Sequence, residues 1–271
     1  MEVVPLRAPV AASGRPLVEF ENVEKVYRSK RGDVTALHGI NTHIGDAEFL
    51  SVLGPSGCGK STLLRCLAGL EKPTGGDIRV AGKTVSGPPD NLGVVFQRDI
   101  LLEWRTVIQN VLLPVEAQRL RVQEWRERAM KLLDLLGLKN FENRYPHELS
   151  GGMRQRVSIC RALLMNPNLL LMDEPFGALD AMTRDELNLE LQRVWMEDAK
   201  TVFFVTHSIA EAVFLGDRVI VMSPSPGRIL RTIKIDLPRP RDLSIRETPE
   251  FGAYTREIRS LFQEMGMLRA R

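Results

Sequence analysis

Leu50-Ser-Val-Leu-Gly-Pro-Ser-Gly-Cys-Gly-Lys-Ser-Thr62 joins an apolar strand to a helix through a glycine-rich turn. Gly54, four residues and then Gly59-Lys60-Ser61 fit the spacing G-x-x-x-x-G-K-[ST]. Glycines in such a loop let successive backbone N–H groups curl around a phosphate, so Gly54, Pro55, Ser56, Gly57, Cys58 and Gly59 read as an anion cradle. Lys60 is placed to reach the terminal phosphates of ATP, and the Ser61 hydroxyl to bind the accompanying Mg²⁺. The helix that starts at Lys60, Ser61 and Thr62 and runs to Gly69 aims its positive end at the same anion.

Around this loop the composition is that of an ordinary globular protein. With 271 residues, 44% of them hydrophobic, the chain can bury a substantial core. Lys plus Arg exceed Asp plus Glu by only 37 to 34, so charge makes no case for a nucleic-acid partner. The basic excess gathers after Gly227, where a solvated face is the plainer reading and a lipid-facing patch the sharper one. Three cysteines, Cys58, Cys66 and Cys160, are an odd number without a disulfide or metal-site spacing, which points to reduced thiols in the cytosol. Residues 1–16 read as a loose tail with no signal-peptide core. No apolar run approaches the roughly 18 residues that span a bilayer, so any membrane role is expected to come through a partner.

Strand patterns are expected at Leu17–Val23, Ile40–Ile44, Phe49–Leu53, Ile78–Val80 and Leu92–Phe96, with a turn at Lys30–Asp33. Between Trp104 and Leu164 the period becomes helical, over Val107–Val115, Trp125–Leu136 and Met153–Leu164. Strand character returns at Leu169–Met172, Thr201–Thr206 and Arg218–Met222, and a last helix is expected over Pro249–Met265. Alternating strands and helices imply an α/β protein with a largely parallel sheet, interrupted by a mostly helical insertion. Nucleotides bind such sheets at the carboxyl ends of the strands, where Gly54, Asp173 and His207 would fall.

Two adjacent carboxylates, Asp173 and Glu174, directly follow a buried apolar run and need a cationic or polar partner there. Mg²⁺·ATP on the phosphate loop meets that need: Asp173 acts through the metal's water shell, and Glu174 takes a proton from the water that attacks the γ-phosphate. His207 ends its strand on the same edge and is a candidate γ-phosphate donor that keeps the water and Glu174 in register. Gln97, after the strand ending at Phe96, can touch Mg²⁺ or water without adding charge, and so can link hydrolysis to movement of the insertion. Tyr27 is either an edge tyrosine or a platform for a base. In Glu148-Leu-Ser-Gly-Gly-Met-Arg-Gln-Arg156, Ser150 would cap a helix beginning with Gly151 and Gly152, a second bare helix N-terminus suited to an anion. One ATP does not need two such sites. The economical answer is that the second faces a nucleotide on another subunit.

In this order, the phosphate loop, Gln97, Leu149-Ser-Gly-Gly152, Leu171-Met-Asp-Glu-Pro175 with Ala178-Leu-Asp180, and His207 resemble the ATP-binding-cassette (ABC) ATPases, over roughly 17–228. The resemblance implies a RecA-like P-loop NTPase core with a mixed, largely parallel sheet over 17–232, an N-terminal antiparallel β-subdomain, a helical subdomain inserted at about 98–166, and a short basic extension over 233–271. It also implies a head-to-tail dimer closing on two ATP molecules, with Tyr27 against adenine and Asp180 crossing the interface. Met153 departs from the family pattern, which often has Gln there. Val95–Val107, Ser223–Ile229 and Ile235–Arg241 are similar to the nitrate, sulfonate and taurine importers. That narrower likeness implies a peripheral subunit on the cytoplasmic face of the membrane, bound to permease subunits that receive solute from an extracytoplasmic binding protein. Leu101, Leu102 and Trp104 would then be the permease anchors. A soluble cassette ATPase working on nucleic acid or the ribosome, or an exporter subunit, stays open as an alternative.

Overall fold

The computed structural model describes residues 16–266 except 31 and 199. The expected tail over 1–16 thus falls outside the described residues apart from its last, as does Arg31 of the expected turn.

Among the described residues ten strands form two sheets. An antiparallel sheet of order β2-β1-β4-β5 is built from β1 (Val18–Tyr27), β2 (Val34–Ile44), β4 (Gly75–Val80) and β5 (Lys83–Thr84). The central sheet has order β10-β9-β3-β8-β7-β6, from β3 (Phe49–Leu53), β6 (Leu92–Val95), β7 (Leu169–Asp173), β8 (Thr201–Thr206), β9 (Arg218–Met222) and β10 (Ile229–Lys234). Its strands pair in parallel except the edge strand β10, which is antiparallel to β9.

The helices are α1 (Lys60–Leu67), α2 (Val107–Val111), α3 (Leu113–Ala117), α4 (Val122–Leu135), α5 (Gly151–Leu163), α6 (Ala181–Asp198), α7 (Ile209–Leu215) and α8 (Pro249–Glu264). Helices α2 to α5 all lie between β6 and β7. The expected single helix over 107–115 is two short ones that meet at Leu112, because Pro114 cannot donate an N–H and sits in the first turn of α3.

Strands β3, β7 and β8 are buried at every position, the pattern of strands covered on both faces. Side chains alternate between two cores. Phe49, Leu53, Leu170, Met172, Val202 and Phe204 enter one, which continues into the helices. Leu50, Val52, Leu169, Leu171, Phe203 and Val205 enter the other, beneath the antiparallel sheet and α1. The three cysteines are free and buried, and burial pushes the Cys66 thiol up to about 11.

Two expectations change. Leu101 is buried in the first core and Trp104 is 74% exposed, so these residues do not form one apolar seat. Nor is the segment after Gly227 simply a solvated basic face: Arg241 is buried and Arg239 nearly so, because backbone carbonyls and Asp217 receive their guanidinium donors.

Candidate active site

Register brings four loops to one level. Leu53 pairs with Thr206, Asp173 with Val205, and Val95 with Met172, so the loops after β3, β8, β7 and β6 leave the sheet together. They leave from the carboxyl edge, the side on which such sheets bind ligands.

In the phosphate loop Gly57 and Gly59 take φ of 77° and 102°. A Cβ on Gly59 would stand 2.7 Å from the carbonyl oxygen of Ala36, so only glycine lets the loop lie that close to β2. Gly59 caps α1 without a side chain, which leaves the first-turn N–H groups for an anion. Lys60, nearly buried, donates to the carbonyls of Gly54 at 2.8 Å and Pro55 at 3.0 Å. Ser61 Oγ donates to Asp173 Oδ1 at 2.8 Å. Burial pushes the Asp173 carboxyl above its ordinary value; the Ser61 hydrogen bond opposes that, and the charge of Glu174 adds to it.

Glu174 joins the other groups. Its φ of 46° is left-handed, an uncommon setting for a side chain with a Cβ and one found at functional sites. Its N–H donates to Val205 O at 2.9 Å, which ties this turn to the end of β8. Oε2 accepts from Gln97 Nε2 at 3.3 Å and lies 3.3 Å from His207 Nδ1, while Oε1 stands 3.7 Å from Lys60 Nζ. The structure therefore brings together Lys60, Gln97, Glu174 and His207, from four separate loops, with Ser61 and Asp173 beside them.

Tyr27, at the end of β1, is 37% exposed. Its hydroxyl donates to Glu71 Oε2 at 2.5 Å and lies 3.3 Å from Thr62 Oγ1 on α1. Burial, followed by the bond to Glu71, raises its pKa. The ring is thus tethered to the phosphate-loop helix with part of its surface open.

Ser150, Gly151, Gly152 and Asp180 form a separate cluster. Ser150 Oγ accepts from Met153 N at 3.2 Å and caps α5, and Gly151 has open space around it. A Cβ on Gly152 would stand 2.6 Å from Thr183 Cγ2, so α5 begins hard against the first turn of α6. Asp180 caps that turn through the Thr183 N–H at 3.0 Å and hydroxyl at 2.7 Å, and those bonds lower its pKa. Met153 spends its side chain on the core. Among the described residues no hydrogen bond or ion pair joins this cluster to Lys60 or Glu174.

Sequence reasoning missed two arginines that hold the loop of Gln97. Arg161 donates to the carbonyls of Asp99 at 2.7 Å and Ile100 at 2.8 Å, and Arg154 pairs with Asp99 at 3.0 Å. Both stand on α5, seven residues apart and hence on one face. That spacing was the available signal. The helix capped by Ser150 is thereby tied to the loop of Gln97.

A family model described as ABC transporter matches residues 37–177, which span the phosphate loop, Gln97, the Ser150 helix and Glu174. The chain belongs to the ABC transporter family. It is 45% identical over 252 residues to the nitrate import ATP-binding protein NrtD of Synechocystis sp., across 91% of this chain and 95% of that protein. It is 46% identical over 242 residues to the taurine import ATP-binding protein TauB of Rhizobium johnstonii, across 88% and 92%. The dimeric, post-hydrolysis structure of the ATP-binding cassette MJ0796 bound to ADP and Pi matches with a TM-score of 0.73 and 36% identity, covering 81% of this chain and 99% of that one. This ABC ATPase couples ATP hydrolysis to transport. Among its described residues no helix is long and apolar enough to cross a membrane.

Proposed function

We propose that the chain is the ATP-hydrolysing subunit of an importer for a small solute of the nitrate, sulfonate or taurine type. One observation carries the chemistry: the Glu174 carboxylate is held between Lys60, Gln97 and His207 at the mouth of the phosphate loop.

The residues present fit Mg²⁺·ATP. The Gly59 cradle admits no Cβ, and a hydroxyl, a carboxylate and an amide oxygen from Ser61, Asp173 and Gln97 are the hard donors that Mg²⁺ prefers. When bound, the metal neutralises charge that develops on the phosphates. Lys60 neutralises the terminal phosphates, exchanging its two carbonyl partners for them. Glu174 accepts the proton of the attacking water. His207, when protonated, donates from Nδ1 to Glu174 and from Nε2 toward the γ-phosphate, which fixes both groups relative to the water. Tyr27 stacks on adenine. Ser150, Gly151, Gly152 and Asp180 serve the nucleotide of the other subunit, so that two chains close head to tail over two ATP molecules.

Coupling to a permease is supported by a groove of about 550 Å³ lined by Leu70, Pro88, Phe96, Pro114, Arg161 and Met165. Phe96 adjoins Gln97, and Arg161 holds the following turn, so a permease segment seated there would press directly on the hydrolytic loop. The permease is served in turn by an extracytoplasmic solute-binding protein, and the chain works as a peripheral subunit at the cytoplasmic face of the membrane.

The test is to purify tagged Glu174→Gln protein from its own cells with ATP and gentle detergent. Co-purification of a multi-spanning membrane protein is expected. Ribosomal proteins or nucleic acid in its place would overturn the importer reading while leaving the ATPase chemistry standing.

A further inference from the structure

The segment Leu237-Pro-Arg-Pro-Arg241 has no part in the site described, yet it holds one of the site's elements. Arg241 is 2% exposed. Its Nη1 donates to the carbonyls of Val213, Phe214 and Gly216, each at 2.9 Å, and Nη2 to Leu237 O at 3.1 Å. Arg239 donates to Leu215 O and, at 2.8 Å, to Asp217 Oδ1, and its guanidinium lies 4.4 Å from the Trp195 ring. The backbone of Arg241 is pinned to Gln192 of α6 by bonds of 2.8 and 2.7 Å.

The carbonyls of Val213, Phe214, Leu215 and Gly216 are the carboxyl end of α7. A helix end leaves four carbonyls without intrahelical partners. The usual remedy, a left-handed residue that folds the chain back, is absent here: Gly216 is extended, at φ −73° and ψ 145°. Two arginines from a later segment supply the donors instead, and their charge complements the negative end of the helix dipole. Burial and the neighbouring Arg239 pull the Arg241 pKa down to about 10, which leaves it charged at neutral pH.

At its other end α7 adjoins the site. Ser208, its cap, directly follows His207, and Glu211 in its first turn accepts from Thr206 Oγ1 at 2.5 Å. Seven residues are only about 10 Å of helix, too short to be stable without external support. Whatever fixes the last turn therefore fixes the first.

We propose that Arg241 and Arg239 are positioning residues for ATP hydrolysis, clamping the carboxyl end of α7 so that His207 is held against Glu174. This rests on the assignment of His207 to the hydrolytic machinery. The extension is then a brace for catalysis rather than a lipid-facing tail.

The test is a double-mutant cycle on the purified full chain. Arg241→Lys keeps the charge but cannot reach four carbonyls; Arg239→Gln, at a less buried position, serves where the first variant fails to fold. Each is made alone and with His207→Ala, and kcat, ATP affinity and Tm are measured. On the wild-type background kcat is expected to fall about tenfold with ATP affinity within about twofold, and on the His207→Ala background it should fall less than about twofold. A folded variant with unchanged kcat, or an equal loss on both backgrounds, overturns the proposal. Wild-type hydrolysis by His207→Ala alone overturns the site assignment itself, and the proposal with it.

Discussion

Ser61 and Asp173 stand 112 residues apart in the chain, yet the Ser61 hydroxyl donates to the Asp173 carboxylate at 2.8 Å. One is the last residue of a phosphate-loop signature and the other ends a buried strand. Their contact brings two hard oxygen donors to one point beside Lys60. Burial of the same carboxylate, which the Ser61 hydrogen bond only partly offsets, sets how the protein should respond to pH.

Burial raises the Asp173 pKa, so the folded protein binds this proton more tightly than the unfolded chain does. That stabilisation is complete below the ordinary aspartate value, 3.8, and is lost as pH rises through it toward the higher folded value. Asp173→Asn, which still accepts from Ser61, should therefore raise Tm at pH 7 in metal-free buffer, by about 2–4 °C per kcal/mol recovered. The gain should vanish near pH 3, and Mg²⁺-dependent hydrolysis should be lost. Equal Tm values at pH 7, by thermal denaturation, would contradict the burial argument.

Glu174→Gln keeps the size of the side chain and removes the base. Steady-state hydrolysis should fall by roughly 10²- to 10⁴-fold while ATP still binds, because Lys60 and the loop glycines are untouched. Phosphate release and equilibrium ATP binding, measured side by side, check this. A variant that hydrolyses at the wild-type rate would remove Glu174 from its role.

Gly59→Ala places a methyl group 2.7 Å from the Ala36 carbonyl at a φ of 102°. It should destabilise the fold by about 1–3 kcal/mol and abolish ATP binding, since both the backbone and β2 would have to shift. Chemical denaturation and nucleotide titration read the two effects separately. A well-folded variant with native affinity would mean that the cradle is looser than its contacts indicate.

At Tyr27 two substitutions separate ring from hydroxyl. Tyr27→Phe loses the bonds to Glu71 and Thr62 but keeps a stacking face, so ATP affinity should stay within about threefold. Tyr27→Ala loses the face, and stacking worth about 1–3 kcal/mol predicts affinity about tenfold weaker or worse. Comparable losses in both variants would assign Tyr27 to the Glu71 network alone.

How much of this was legible beforehand depended on range along the chain. The phosphate loop, the Asp173-Glu174 pair at a strand end and the Ser150 cap were readable because each is local: a turn needs its glycines, a cap its hydroxyl, a buried strand its apolar run. The parallel sheet followed from the alternation of strands and helices. That Leu101 is buried while Trp104, three residues on, stands exposed was not legible, because burial depends on which helices pack nearby, and side-chain chemistry does not reveal that.

By itself, then, the sequence determined a P-loop α/β protein with ATP-directed chemistry, since those features are written in residues adjacent to one another. Only the tertiary structure decided that Glu174 would meet Lys60, Gln97 and His207 at once, because strand order and register set distances between loops that the chain leaves far apart. It also decided the fate of the basic extension. Arg241 resembles any surface arginine until the unpaired carbonyls of α7 are seen beside it, and their demand for donors is what draws the charge inside.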